Sequence, residues 1–244
     1  MTSRRVRAIN PWHRPLKAVL RFLFWLLLRI EVENKEKVPQ TGPLIVYFNH
    51  ANWLDPVIVA GVIDRELFVM GKEELFRHRL PGAILRAYGV FPVRRQQADV
   101  QAFRRALQLL ERGAVVIIAP EGTRSHTGML QPAKTGVVRL ALRSGALLQP
   151  AAVTGCLSFE ANLRRLRRTR VRVRFGEPFA LSSHERATSS KEELQRLTDE
   201  IMAKLAALLP PEMRGVYAQA GDQLKQTSAA AEEAGLPERR VASR

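Results

Sequence analysis

A histidine and an aspartate five positions apart could form a general base. His50 follows the apolar run at 44–48, which is typical of a buried strand. Asp55 precedes Pro56 and a second apolar run, and proline is well tolerated in the first turn of a helix. The segment therefore predicts a strand, a turn that holds His50, and a helix that begins near Asp55. In that geometry the imidazole folds back onto the carboxylate, which fixes its tautomer and stabilises its charge as it takes a proton.

Each of the two residues also has an ordinary structural interpretation. A single histidine after a strand is commonly a packed side chain, and an aspartate at the start of a helix is commonly a cap. His50 and Asp55 alone therefore do not establish catalysis, and the choice between the two interpretations depends on the motifs that follow along the chain.

A second polar segment follows another strand. The apolar and β-branched run at 114–119 predicts a buried strand, and it leads directly into a loop at 120–125. Backbone N–H groups, two hydroxyls and a guanidinium in one short loop suit a phosphate monoester, while an ordinary turn at a strand end is the structural alternative. The loop contains Glu121, Gly122, Thr123, Arg124 and Ser125.

A third segment has the same layout. The apolar residues at 89–93 lead to Arg94 and Arg95, so cations again follow a predicted strand. Pro92 lies inside this strand, and proline cannot donate a hydrogen bond to a neighbouring strand. We therefore expect this strand to lie at an edge of the sheet or to end early.

These segments, in this order, resemble the motifs of the glycerolipid acyltransferases. The chain has an Asn-His-x-x-x-x-Asp box at 49–55, a Gly-x-Phe-x-x-Arg segment at 89–94 and a Glu-Gly-Thr-Arg-Ser box at 121–125. An apolar strand with a proline, at 147–153, matches a fourth element of the family. The likeness covers about residues 30–180, and it rests on the ordered set because each box alone is weak. It is closest to the members that acylate 1-acyl-sn-glycerol 3-phosphate.

The resemblance implies an O-acyltransferase that moves a fatty acyl group from a thioester to the free sn-2 hydroxyl of 1-acyl-sn-glycerol 3-phosphate, giving phosphatidic acid. His50 would take the hydroxyl proton while Asp55 holds the ring, so no serine or cysteine nucleophile is required. The donor would be acyl-CoA or acyl-[acyl carrier protein], with no bound cofactor and no metal. The alternative is the same chemistry on glycerol 3-phosphate, another lysophospholipid or a lyso-aminolipid.

The resemblance also implies a set of substrate contacts. Arg94 and Arg124 would hold the acceptor phosphate. Glu121 would bind a glycerol hydroxyl or orient an arginine, because a carboxylate repels a phosphate at close range. The family often has a lysine at the position of Lys72, for which a solvated surface lysine is the alternative. The expected contacts are Lys72, Arg94, Glu121, Gly122, Thr123, Arg124 and Ser125.

The histidine box departs from the usual family pattern in one respect. Family members often have a serine two or three residues after the histidine, where this chain has Asn52 and Trp53. We expect the bulky indole to reshape the opening for the acceptor. This departure bears on the choice of acceptor more than on the chemistry.

The elements that must position these residues alternate along the chain. Further apolar runs predict strands at 67–70 and 147–153, and amphipathic stretches predict helices at 98–112, 137–142 and 191–209. Such alternation predicts an α/β fold with a largely parallel central sheet flanked by helices. In sheets of this kind, binding sites gather at the carboxyl ends of the strands, where the three polar segments all fall.

The amino-terminal segment is basic and then apolar, at 22–28. A secretory signal peptide needs a small-residue cleavage site, and none follows. A spanning helix needs about 20 apolar residues, and this run is shorter. We expect a membrane-interfacial helix with Trp12 and Trp25 near the boundary, with a helix packed on the core as the alternative.

The predicted organisation has three parts. Residues 1–30 form the membrane-interfacial segment, residues 31–220 the acyltransferase domain, and residues 221–244 a flexible tail with little apolar content. The chain has one cysteine, Cys156, which excludes an intrachain disulfide and fits a reducing compartment.

The charge balance implies an anionic partner. Lysine and arginine total 39 against 23 acidic residues, a formal charge of +16. The densest cationic run lies at 164–174, and we expect it to contact anionic headgroups, with carrier-cofactor phosphates or a solvated face as alternatives. A basic nucleic-acid-binding protein is the remote alternative, and nucleic acid is not the expected partner because the aromatic residues are not interleaved with this run. The predicted location is the cytoplasmic face of the cell membrane, as a peripheral or monotopic protein.

Overall fold

A seven-stranded sheet organises the described residues, 13–94, 99–181 and 190–233, of this computed structural model. The strands are β1 (Leu28–Glu33), β2 (Leu44–Phe48), β3 (Leu67–Lys72), β4 (Val90–Val93), β5 (Val115–Ile118), β6 (Leu147–Thr154) and β7 (Thr169–Phe175). Across the sheet their order is β1-β7-β6-β2-β5-β3-β4. All neighbours pair in parallel except β6 and β7, which are antiparallel. The predicted α/β fold is confirmed.

Helices cover both faces of this sheet. Within the described ranges they are α1 (His13–Leu27), α2 (Asp55–Val62), α3 (Arg79–Ala87), α4 (Val100–Glu111), α5 (Gly136–Ser144), α6 (Phe159–Arg164), α7 (Lys191–Leu208) and α8 (Ala218–Glu233). Residues of α1, α2 and α6 join the core on one face, and residues of α4, α5 and α7 join the core on the other. Helix α3 contacts β4 at the edge, and α8 packs on α7.

The central strands are buried on both faces, as helices on each side of a parallel sheet require. Every residue of β2 and of β5 is buried. Successive side chains of a strand point to opposite faces, so Ile45 and Tyr47 enter one core while Leu44, Val46 and Phe48 enter the other. This arrangement explains why the strands that precede the polar loops appear in the sequence as continuous apolar runs.

The outer strands β1 and β7 pair their charged faces. Glu31 lies opposite Arg172 and Glu33 opposite Arg174 in the register. Arg172 lies 3.1 Å from Glu31 and 3.0 Å from Glu33. Arg174 bonds to Glu33, and this hydrogen bond holds the pKa of the Glu33 carboxyl below its ordinary value. These two arginines therefore face the carboxylates of a neighbouring strand, which corrects the expectation that the whole cationic run contacts headgroups.

The amino-terminal boundary differs from the predicted one. The first strand of the sheet begins at Leu28, inside the segment assigned to 1–30. The sequence did not predict this strand, because its apolar residues alternate with charged ones and form no continuous apolar run. Helix α1 is present, with Phe24 buried and the side chains of Phe22, Trp25 and Leu26 exposed. No helix in the described part of the chain is long and apolar enough to span a membrane. Trp12 lies outside the described residues.

The carboxyl-terminal segment contains a helix where a flexible tail is predicted. Residues 221–233, assigned to a flexible tail, belong to α8, and residues 234–244 lie outside the described ranges. The segment is rich in alanine, glutamine and glutamate, which favour helix. Arg214 is fully buried, donates to the Leu209 carbonyl at 2.9 Å and pairs with Asp222. This contact docks the start of α8 against the domain.

Candidate active site

The end of β2 is tied to its neighbour β6 by a buried asparagine. Asn49 Nδ2 donates to the Val153 carbonyl at 2.8 Å, and the Val153 N–H donates to Asn49 Oδ1 at 2.7 Å. This pair of hydrogen bonds replaces the strand pairing that stops at Phe48. The turn that follows therefore leaves the sheet from a fixed point.

That turn brings His50 and Asp55 together. His50 Nδ1 lies 3.4 Å from Asp55 Oδ2, and the two residues are 5% and 1% exposed. The same carboxylate oxygen accepts the backbone N–H groups of Ala51 at 2.7 Å and Asn52 at 2.6 Å. Charged acceptors make the stronger hydrogen bonds, so these two donors hold the carboxylate in place beneath the ring. The contact that the sequence predicted is present, and its catalytic use is a proposal.

Glu160, which belongs to none of the sequence motifs, accepts hydrogen bonds from two side chains of the turn. Asn52 Nδ2 donates to Glu160 at 3.2 Å, and Trp53 Nε1 donates to the same carboxylate at 3.1 Å. The Trp53 ring also packs edge-on against Phe159, with centroids 5.9 Å apart. The hydrogen bond from its own backbone N–H, followed by those from Asn52 and Trp53, lowers the pKa of Glu160 below its ordinary value. Helix α6 thereby positions the indole, which remains half exposed.

Glu121 lies behind His50 and braces its backbone. One carboxylate oxygen accepts the His50 N–H at 3.0 Å, and the other accepts the Gln131 N–H at 3.0 Å. In return, the Ser125 N–H donates to the His50 carbonyl at 2.7 Å. Glu121 is 3% exposed, and burial raises its pKa to about 7. Each oxygen accepts a backbone N–H group, so Glu121 helps to position His50, and its contact with a glycerol hydroxyl stays a prediction.

The other residues of that loop divide into buried and exposed groups. Ser125 is buried and its hydroxyl lies 3.2 Å from that of Thr127. Thr123 and Arg124 are exposed. Gly122 has a φ of +71°, and a Cβ there would meet the Lys134 side chain at 3.2 Å, so both backbone and space favour glycine. Of the predicted contacts in this loop, Thr123 and Arg124 are exposed, Gly122 is partly exposed, and Glu121 and Ser125 are buried.

A cavity of about 220 Å³ opens beside His50. Its walls are mainly apolar, and they also carry the two cations Arg94 and Lys134. The apolar lining comes from Phe48, Val69, Met70, Phe103, Ile118 and Leu140. One cavity therefore joins the histidine, an apolar surface, two positive charges and the carboxylate of Asp99. Lys134 was not predicted to line the site, because it belongs to none of the sequence motifs. Its position just before α5 was the available signal, since the start of that helix lies at the same edge of the sheet.

The cationic residues predicted to bind substrate are exposed and have acidic neighbours. Arg94 Nε lies 2.9 Å from Glu73 Oε2, and the Arg94 N–H donates to Asp99 at the start of α4. Lys72 Nζ lies 3.2 Å from Glu74, and Lys72 is not among the residues that line the cavity. Arg124 contributes to lowering the pKa of Glu160, so its charge acts near the outer side of the turn. Arg95 lies outside the described residues.

No cluster of three or more histidine, cysteine, aspartate or glutamate side chains that could hold a metal ion occurs in residues 13–94, 99–181 and 190–233. Cys156 is buried, and burial raises the pKa of its thiol well above the ordinary range. A thiol in that state is a poor nucleophile. Cys156 is therefore not a candidate nucleophile in this structure.

The chain is similar in sequence to known acyltransferases. The sequence model of the family described as Acyltransferase matches residues 29–154. The 1-acyl-sn-glycerol-3-phosphate acyltransferase of Bacillus subtilis is 30% identical over 186 residues, which cover 73% of this chain and 91% of that protein. The protein of the same name from Streptococcus pneumoniae is 26% identical over 198 residues, 76% of this chain and 72% of that protein.

A solved structure has a similar fold. It is the crystal structure of the 1-acyl-sn-glycerophosphate (LPA) acyltransferase, PlsC, from Thermotoga maritima, and the TM-score is 0.62. The match covers 91% of this chain and 84% of that chain, at 23% sequence identity. At that identity the likeness shows the fold alone, and the α/β architecture described above is the shared feature.

Proposed function

The chain belongs to the acyltransferase family, and from this premise we propose that it acylates the free sn-2 hydroxyl of 1-acyl-sn-glycerol 3-phosphate, giving phosphatidic acid. Relatives that cover most of the chain are named for this acceptor. The observation that carries the proposal is the buried contact between His50 and Asp55 at the wall of a cavity that also presents Arg94 and Lys134. The donor is an acyl thioester, either acyl-CoA or acyl-[acyl carrier protein].

In the proposed reaction His50 acts as the general base. Asp55 Oδ2 accepts the proton on Nδ1, so the lone pair of Nε2 is free to take the proton of the acceptor hydroxyl. The alkoxide oxygen attacks the thioester carbonyl and forms the new C–O bond of a tetrahedral intermediate. Collapse of the intermediate breaks the C–S bond, and the thiolate leaves with the proton that the imidazolium returns. No covalent acyl-enzyme is needed.

The acceptor phosphate is proposed to bind to Arg94 and Arg124. Both side chains are exposed at the edge of the sheet that carries His50, and a guanidinium can bind a phosphate with two parallel hydrogen bonds. Lys134 adds a positive charge on the cavity wall. Glu73 is the present partner of Arg94, and exposed ion pairs are weak in water. A dianionic phosphate can therefore replace that carboxylate at small cost.

We also propose that the protein works on an anionic membrane surface, at the cytoplasmic face. The acceptor is a lipid, and the formal charge of +16 favours anionic headgroups. Helix α1 presents an apolar surface to solvent, with Phe22 60% and Trp25 65% exposed. An exposed aromatic and aliphatic surface beside basic residues is typical of a helix that lies in the membrane interface.

The experiment that tests this function is an acceptor panel with the purified full chain. Acyl-CoA and acyl-[acyl carrier protein] are each offered with lysophosphatidate, glycerol 3-phosphate, lysophosphatidylglycerol and lysophosphatidylethanolamine, and products are identified by mass spectrometry. Phosphatidic acid from lysophosphatidate is the expected major product. A different major product would show that the protein uses a different acceptor. Absence of acyl transfer to every acceptor would overturn the proposal.

The His50→Ala variant is the first control for that panel. A positioned general base typically raises the reaction rate about 10²- to 10⁴-fold, so the turnover rate of the variant is expected to fall at least about 10²-fold. The mechanism would be wrong if the purified variant kept near-normal transfer, even though wild-type protein made phosphatidic acid.

A further inference from the structure

A cationic turn lies at the same edge of the sheet as the active site. We define the α6–β7 turn as residues 165–168, which join the end of α6 to Thr169. Because β7 runs antiparallel to β6, the start of β7 lies beside the end of β6, where Asn49 holds the catalytic turn. Strand β1 is parallel to β7 with Leu28 opposite Thr169, so α1 ends at this edge too. The α6–β7 turn therefore lies between the end of α1 and the active-site loops.

Leu166, in this turn, is energetically unfavourable for the folded protein in water. Its side chain is 94% exposed, the largest value among the exposed large hydrophobic residues of the described ranges. Its φ is +53°, in the left-handed region that asparagine or glycine occupies more easily than leucine. Neither the backbone conformation nor the packing of the folded chain accounts for a leucine here. A partner that buries the side chain would account for it.

The surroundings of Leu166 indicate the chemistry of that partner. Arg164, Arg165 and Arg167 are exposed on either side of it, and Leu163 one turn earlier is 42% exposed. An apolar side chain that protrudes from a ring of arginines matches a lipid surface, which offers phosphates outside and acyl chains beneath. A bilayer accepts a single protruding leucine without a shaped groove, whereas an acidic protein partner would have to supply a pocket for it.

The turn lies beside the apolar surface of α1. Arg168 donates to the Leu28 carbonyl at 2.6 Å and lies over the Trp25 ring, 6.0 Å from its centroid. On the other side, α6 begins at Phe159, which contacts Trp53 at the mouth of the catalytic turn. A helix of six residues is about 9 Å long, so these exposed groups lie close together.

We propose that the α6–β7 turn is a second membrane-docking element, separate from α1. Leu166 inserts among the acyl chains of an anionic bilayer while Arg164, Arg165 and Arg167 bind headgroup phosphates. Two attachment points fix the orientation of the domain, and they turn the edge of the sheet that carries His50 toward the membrane. The inference rests on the proposed function for its lipid partner, but membrane binding is measured without turnover.

The test is the binding of the purified full chain to vesicles, followed by sedimentation. The variant Leu166→Asn removes the apolar side chain and keeps a residue that tolerates the left-handed backbone, so the fold is preserved. On mixed vesicles of phosphatidylcholine and phosphatidylglycerol, its affinity is expected to fall about tenfold, since insertion buries most of a leucine. The matched control is Val100→Asn on α4, which is 56% exposed on the opposite face of the sheet and should bind like wild type.

A charge variant separates the two parts of the contact. Arg165→Gln with Arg167→Gln should weaken binding to the mixed vesicles about fivefold for each charge, and should matter little on pure phosphatidylcholine. Leu166→Asn should weaken binding on both. The proposal is overturned if Leu166→Asn binds the mixed vesicles as tightly as wild type. It is also overturned if that variant loses affinity for acyl carrier protein alone, because the turn would then be a donor site.

The same measurements keep this inference distinct from the proposed function. If wild-type protein acylates no lysolipid but its binding to vesicles depends on Leu166, the docking proposal stands and the proposed activity is wrong. If wild-type protein makes phosphatidic acid from a short-chain, water-soluble lysophosphatidate, and Leu166→Asn binds vesicles like wild type, the proposed activity stands and the docking proposal is wrong.

Discussion

Two sets of ionisable residues meet at the active-site edge, and they are built in opposite ways. The inner set is His50, Asp55 and Glu121, each at most 5% exposed and held by hydrogen bonds with backbone groups on both sides of the catalytic turn. The outer set contains Lys72 and Arg94, whose side chains are 51% and 66% exposed and contact carboxylates that are themselves exposed.

The difference follows from the cost of burying charge. A buried carboxylate is destabilising unless its oxygens are satisfied, so the inner groups must be fixed by the fold before any substrate arrives. Exposed ion pairs contribute little, so the outer cations can exchange one anion for another. The molecule therefore separates a rigid chemical unit, which needs accurate geometry, from an adaptable binding surface, which needs only positive charge within reach.

The largest expected effect comes from the inner set. Asp55→Asn keeps the size of the side chain but removes the charge that stabilises the imidazolium, and it permits the wrong imidazole tautomer. We expect the turnover rate to fall about 10²- to 10⁴-fold, with little change in the KM for the acceptor. Initial rates at saturating donor, with circular dichroism to check folding, measure both.

Asp64→Asn is the matched control for this variant. Asp64 is also an aspartate that contacts cations, Arg21 and Lys35, but it lies on the surface, away from the cavity. It should keep near wild-type turnover. Equal losses in the two aspartate variants would mean that the inner set is no more specialised than a surface ion pair, and the comparison would fail.

Sequence patterns predicted the parts of the fold that depend on local order. The apolar runs that became β2 and β5 are buried throughout, and the run that became β6 is buried except at its two ends, and such runs are visible without knowing the partners. Pro92 correctly indicated an edge strand, since β4 is last in the sheet. The His50–Asp55 contact was also accessible, because a strand, a turn and a helix start determine it within a few residues.

The features that were missed depend on contacts between distant segments. The hydrogen bond of Glu121 with the His50 backbone joins residues 71 positions apart. Glu160 reaches the catalytic turn from 107 positions along the chain. Strand β1 alternates apolar residues with charges, and those charges are explained only by the arginines of β7. In each case the partner, rather than the local pattern, determines the role of the residue.

A second prediction concerns the buried carboxylate of Glu121. Its pKa is raised from 4.5 to about 7 by burial, so the native state holds a proton that the unfolded chain releases. The associated stability is present below pH 4.5 and is lost as the pH rises through 7. The shift corresponds to about 3 kcal/mol. Wild type should therefore lose about that much free energy of unfolding relative to Glu121→Gln between pH 4.5 and 8, as measured by urea unfolding.

Glu160→Gln provides a control of the opposite sign. The pKa of Glu160 is lowered by the hydrogen bond from its own backbone and by those from Asn52 and Trp53, so its contribution is present above the unfolded pKa and is lost as the pH falls. Replacing Glu160 should therefore reduce stability at neutral pH and matter less in acid. Parallel pH profiles for the two glutamine variants would contradict the assignment of Glu121 to the buried set.

The smallest expected effects come from the outer set, and they test whether position in the cavity matters. Arg94→Ala, at the cavity wall, should raise the KM for lysophosphatidate about tenfold with little change in turnover rate, because a charge-assisted hydrogen bond to the phosphate is lost. Lys72→Ala is the matched cation outside the cavity, and its KM should change less than about fivefold. If Lys72→Ala raised the KM as much as Arg94→Ala, the phosphate would bind nearer to β3, and the outer set would act through its total charge rather than through the groups at the cavity.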